Sequence, residues 1–156
     1  MENRDLNFCV SRDELKTPYV MADELRIREV LLNIISNAVK FTKDGGTISF
    51  AAENAPGNDE HHTIIRYRIS DTGIGMSEEF QSRIFDEFSQ ENDGARTSYK
   101  GTGLGMAIAK RYTDLMGGKI EVSSRQGVGS TFTVEIPLRI AAVSYTHLTL
   151  PTILIV

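Results

Sequence analysis

The chain has 156 residues, 17 Lys and Arg against 21 Asp and Glu, a formal net charge of −4, and 40% hydrophobic with 24% charged residues. That length holds one ordinary domain with a real core, and this composition excludes a chain disordered throughout. The mildly acidic balance argues against an electrostatic nucleic-acid binder, and the single cysteine, Cys9, excludes an internal disulfide or a thiolate zinc site.

In chain order, Leu6, Phe8 and Val10, then Tyr19, Val20 and Met21, read as two short strands forming a hairpin around a polar turn. Asp23 stands as an N-cap before a helix whose apolar face is Ile27, Leu31, Ile34, Ile35 and Ala38. Asp44-Gly45-Gly46 is expected to end it. Residues 47–52 read as a strand, 54–60 as a polar loop, and 62–70 as a second strand, with His61 and His62 decorating the loop. A short helix is expected from about Ser77 to Phe85. Residues 89–100 then carry almost nothing to bury, as in a lid or binding loop. A helix follows over 102–116, with Leu104, Ile108, Tyr112 and Leu115 on its apolar face, stopped by Gly117-Gly118. Residues 119–124 and 130–138 close the chain as a hairpin around Gly127–Gly129. Helices and strands mix without repeat, which predicts a two-layer α/β sandwich, a mixed sheet with helices on one face.

Three places carry chemistry. On the first long helix Glu29, Asn33, Asn37 and Lys40 stand in one row. Two asparagines on a well-patterned helix are locally disfavoured. A solvated face is the plain reading; amide oxygens for a hard cation such as magnesium, with the lysine on neighbouring phosphates, is the functional one. Asp71-Thr72-Gly73-Ile74-Gly75 ends a strand with glycines that let backbone approach a flat ligand and a carboxylate that accepts from an amine. A bare tight turn, or the triplet of an aspartic protease, are the rival readings. Gly101-Thr102-Gly103-Leu104-Gly105 opens a helix whose N-terminal amides and dipole suit phosphate. It is neither a Walker motif nor a good Rossmann fingerprint.

Taken in order, these elements resemble the catalytic and ATP-binding domain of sensor histidine kinases, within the Bergerat-fold ATPases that include gyrase B, Hsp90 and MutL. Residues 23–42 look like that family's N box and 70–76 like its G1 box. Phe85-Asp86-Glu87-Phe88 looks like the F box, 101–107 like the G2 box, and 127–132 like its G-x-G-S-T-F ending. The resemblance implies Mg-ATP as ligand. Asn37, helped by Asn33, would hold the magnesium, Lys40 would contact phosphate, and Phe41 would lie near the nucleotide. Asp71 would accept the adenine amino group in a pocket shaped by Gly73 and Gly75. Gly101, Thr102, Gly103, Leu104 and Gly105 would let the lid fold over the phosphates, with Arg96 or Lys100 reaching the γ-phosphate and Thr131 near adenine. Phe85 would pack and anchor the lid.

In the hydrolysing members of that superfamily the first N-box position is a glutamate that activates water. Asn33 cannot act as a base, which favours transfer to another nucleophile over hydrolysis. Glu29, one turn earlier, is the remaining candidate base. The implied acceptor is a histidine on a separate dimerisation domain, from which a response regulator receiver domain takes the phosphate. Asp13-Glu14-Leu15-Lys16-Thr17-Pro18 mimics the acceptor motif but has aspartate where the histidine belongs, so it reads as the turn of the first hairpin. The alternatives are a nucleotide-binding module without transferase activity, or a serine kinase of the anti-sigma-factor type.

The resemblance ends near Leu138, so residues 1–140 are read as the domain and 141–156 as a non-native or linker tail. That tail is too short and too polar for a membrane span, which needs ~20 mostly apolar residues. Neither nucleic-acid binding nor direct membrane insertion is expected, and the location is cytoplasmic, with a parent protein that can still be membrane-anchored.

Overall fold

A computed structural model describes residues 5–16, 19–57, 59–90 and 102–142, with backbone alone over 12–14. The elements are β1 (Asn7–Glu14), β2 (Val20–Met21), α1 (Glu24–Phe41), β3 (Thr47–Ala55), β4 (His62–Asp71), α2 (Glu78–Gln81), α3 (Gly105–Leu115), β5 (Lys119–Arg125) and β6 (Gly129–Ile140). The strands form one mixed sheet in the order β1-β3-β4-β6-β2, with β5 also on β6. Only β1 and β3 run parallel; the other pairs are antiparallel. Helix residues Ile27, Val30, Ile34, Ala38, Met106 and Ala109 share one core with Ile65, Tyr67, Ile69, Phe132, Val134 and Ile136 of the sheet, which is the expected two-layer sandwich.

The expected hairpin of the first two strands does not exist. β1 lies on β3 at one edge, with Phe8 opposite Ile48, while β2 lies on the end of β6, with Val20 opposite Ile140. After β1 the chain meets the ends of β3 and β4. There Lys16 N–H donates to Asn54 Oδ1 and Asn54 Nδ2 donates to Thr63 Oγ1. The acceptor-like sequence at Asp13–Glu14 is therefore strand, not turn, while Thr17 and Pro18 lie outside the described residues.

Asp23 caps α1, its Oδ1 accepting from Arg26 N–H at 3.1 Å. The helix stops before the glycine pair, because Thr42 turns extended and its buried hydroxyl donates to Ala38 O at 2.6 Å. α2 is shorter than expected. Ser77 caps it, but after Gln81 the chain proceeds through i→i+3 bonds (Arg83 to Phe80, Asp86 to Arg83, Ser89 to Asp86), with Phe80 and Ile84 as buried anchors.

α3 presents a different face from the expected one. Met106, Ala109 and Thr113 are buried, whereas Ile108 is 39% and Leu115 59% exposed. Small residues win because α3 packs against α1: Ala109 is wholly buried, and a leucine there would hold the helices apart.

On the sheet face away from the helices, Glu53, Arg66 and Glu135 stand opposite one another on three strands. Arg66 Nε donates to Glu135 Oε1 at 2.8 Å and Nη1 to Glu53 Oε1 at 3.0 Å. His61 and His62 donate their backbone N–H groups to Asp59 Oδ1, closing the turn before β4 and holding that carboxyl below its usual range.

Candidate functional site

The site is assembled where the C-terminal half of α1, the loop after β4, the N-terminus of α3 and the β5–β6 turn meet. Asn33 Nδ2 donates back to the carbonyl of Glu29 at 2.9 Å, which leaves Oδ1 as the presented atom. That oxygen faces the first residue of α3: a methyl added to Gly105 would sit 3.0 Å from it. Two motifs 72 residues apart in the chain, N box and G2 box, are thereby in contact. Asn37, half-buried one turn further on, has no side-chain hydrogen bond among the described residues. Lys40 Nζ lies over the Phe41 ring, 5.2 Å from its centroid.

Leu104 holds the N-cap position of α3 and its side chain caps nothing, in contrast to Asp23 on α1 and Ser77 on α2. Its first-turn amides and the positive end of its dipole sit beside the Asn33 oxygen, a setting suited to a phosphate with its counter-cation. Among the described residues no group of three or more His, Cys, Asp and Glu gathers as a metal cage. The amides of Asn33 and Asn37 are the donors that fit a hard cation, alongside phosphate oxygens.

The loop after β4 docks on the end of α1. Ile74 N–H donates to Phe41 O at 3.2 Å, and Gly73 N–H donates to Asp71 Oδ1 at 2.8 Å. Gly73 must lack a side chain, since a Cβ there would meet Phe41 O at 2.6 Å and Asp71 Oδ1 at 2.7 Å. Gly75 has φ +66° and lies against the Arg125 carbonyl, while Gly127 N–H donates to Ile74 O at 2.8 Å. Phe41, Asp71, Gly73 and Gly75 are thus brought together between helix end and hairpin turn. On the far side Phe88 N–H donates to Gly103 O at 3.0 Å, and Phe85 packs edge-on against Phe132 with centroids 6.5 Å apart.

Arg96, Lys100 and Gly101 lie outside the described residues, as do most of the 89–100 segment, His147 and the tail from 143. Glu29 is exposed on the N-terminal half of α1, connected to the site through its backbone carbonyl. Thr131 lies on the other side of the sheet. It pairs with Ser70, the two hydroxyls 2.9 Å apart, on the sheet face away from the helices. The residue on Asp71's face is Ser130, 8% exposed and directly opposite Asp71. The signal was present in the sequence: Phe132, Val134, Ile136 and Leu138 mark the inward parity of β6, and Ser130 shares it.

No helix among the described residues is long and apolar enough to cross a membrane. Comparison with known proteins bears directly on this arrangement. Residues 22–140 match the family of histidine kinase-, DNA gyrase B- and HSP90-like ATPases. Hybrid signal transduction histidine kinase B of Dictyostelium discoideum is 39% identical over 134 residues, 86% of this chain and 7% of that protein. The crystal structure of full-length ShkA in complex with AMPPNP shares 33% identity and a TM-score of 0.72, covering 87% of this chain and 26% of that one. The catalytic domain of histidine kinase ThkA shares 31% identity and a TM-score of 0.66, covering 85% of this chain and 80% of that one. The chain spans only 5% to 16% of the length of the curated relatives it matches. With the N-box helix, the strand-end aspartate and the glycine-led helix converging as described, the chain belongs to the histidine kinase-, DNA gyrase B- and HSP90-like ATPase family, as a histidine kinase catalytic domain.

Proposed function

We propose that this domain binds Mg-ATP and delivers the γ-phosphate to a histidine on a separate helical dimerisation domain, from which a response regulator receiver domain takes it onto an aspartate. The observation that carries the reading is the contact between the Asn33 amide oxygen and Gly105 at the uncapped start of α3. It joins cation-suited amides to a phosphate-suited helix end. When bound, the magnesium ion would neutralise phosphate oxygens. Asn37 and Asn33 would hold it, Lys40 would face the phosphates, and Phe41 would flank the nucleotide. Asp71 would accept from the adenine amine, with Ser130 rather than Thr131 beside it.

Because the first N-box position is Asn33, the site orients a phosphoryl donor without a side chain able to deprotonate water there. That supports transfer over hydrolysis. The acceptor is then held by proximity, so fusing it to the domain should raise the rate steeply over mixing the two.

The test is labelled-ATP transfer to a supplied acceptor hairpin, to its histidine variant and to the domain alone. The expected product is an acid-labile, alkali-stable phosphohistidine on the hairpin only, with slow hydrolysis by the domain and loss of magnesium-dependent ATP affinity in Asn37→Ala. Rapid hydrolysis by the unaltered domain, or labelling of the domain itself, would refute the reading.

A further inference from the structure

The base end of the proposed nucleotide site rests on the β5–β6 hairpin, where the hydroxyl protons can be assigned. Ser124 Oγ donates to the Gly129 carbonyl at 2.9 Å and lies 2.8 Å from Ser130 Oγ. A serine hydroxyl has one proton. With that of Ser124 on a carbonyl, the second contact requires Ser130 to donate. Ser130 Oγ therefore turns lone pairs, not a proton, toward the face it shares with Asp71.

Ser124 is itself held at both backbone groups. Gln81 Nε2 donates to Ser124 O at 2.9 Å, and Ser124 N–H donates to Gln81 Oε1 at 2.9 Å. The Gln81 amide thus occupies the outer edge of β5 as a neighbouring strand would, and α2, capped by Ser77, carries it there. The chain of contacts runs from α2 through Gln81 and Ser124 to Ser130 and the strand end that bears Asp71.

We propose that Ser124 is a positioning residue for base selectivity: by taking the Ser130 proton it makes Ser130 a second acceptor beside the Asp71 carboxylate. A purine with a 6-amino group offers protons to such a pair. A 6-oxo group placed there faces two acceptors and no donor, and is turned away. The inference rests on the nucleotide reading above and adds to it the residue that fixes the polarity of the pocket.

The test compares ATP with ITP, which differs only at the 6-position and N1, by calorimetry on the full chain, with circular dichroism to show that each variant is folded. The unaltered chain is expected to prefer ATP. In Ser124→Ala the Ser130 proton is released to turn toward a 6-oxo group, and the ATP-to-ITP affinity ratio should fall by about 3- to 10-fold, the worth of one hydrogen bond. Ser124→Thr keeps the hydroxyl and should keep the ratio. In a Ser130→Ala background, Ser124→Ala should change the ratio no further, which also serves if the single variant folds poorly. A ratio unchanged in Ser124→Ala while both affinities fall together would overturn the inference and leave the nucleotide reading intact. An unaltered chain that binds both equally would overturn the inference alone, and one that binds neither nucleotide would overturn that reading and the inference with it.

Discussion

Replacing Tyr67 by Phe removes one oxygen from the middle of the core. Tyr67 is 1% exposed, lies opposite Ala52 and Val134 on the neighbouring strands, and packs 6.2 Å from the Phe50 ring. Its hydroxyl is buried and has no hydrogen-bond partner among the described residues. An unsatisfied buried hydroxyl costs ~1–3 kcal/mol, and the small void left by one oxygen returns only part of that. The variant is therefore expected to be more stable by about 1 kcal/mol at pH 7, a rise in Tm of about 2–4 °C for a chain of this size. Burial also pushes the phenol from 10 up to about 12. Between those values the unfolded chain loses the proton while the folded one keeps it, so the contribution is fully present below pH 10 and is lost as pH rises toward 12. At pH 11 the unaltered chain should have lost about 1.4 kcal/mol that the Phe variant retains, from ~1.36 kcal/mol per unit. Urea unfolding of both proteins at pH 7, 9 and 11 measures this. A Phe variant less stable by 1 kcal/mol or more at pH 7, or a difference that stays flat to pH 11, would mean that the hydroxyl is satisfied and the reasoning wrong.

Gly105→Ala should leave the fold intact and reduce magnesium-dependent ATP affinity by roughly tenfold, because a methyl 3.0 Å from Asn33 Oδ1 displaces an amide already tied to Glu29 O. Calorimetry with and without magnesium reads it, and unchanged affinity would separate Asn33 from the ligand. Gly75→Ala should lower stability by about 2–4 kcal/mol, since it adds a side chain at φ +66° directly against the Arg125 carbonyl. A thermal melt within 2 °C of the unaltered chain would contradict this, given ~2–4 °C per kcal/mol.

What was legible in the sequence is what short-range physics determines. The apolar stripe of α1, the Asp23 cap and the β5–β6 hairpin each depend on neighbours a few positions away, and each stands where it was read. The parity of β6 was equally local, and reading it strictly would have preferred Ser130 to Thr131. Other features required the folded chain. Whether β1 and β2 pair with each other is decided by which strand each can reach, and β3 and β6 offered longer partners at opposite edges. The buried face of α3 was decided by α1. Close helix contact favours Ala109 and Thr113 over Leu115 and Ile108, an outcome invisible to a count of apolar residues. α2 ended early because i→i+3 turns carry Phe80 and Ile84 into the core. The meeting of Asn33 with Gly105, and the hold of Gln81 on Ser124, join segments far apart in the chain; motifs give such residues their chemistry, but only tertiary packing brings them within reach of one another.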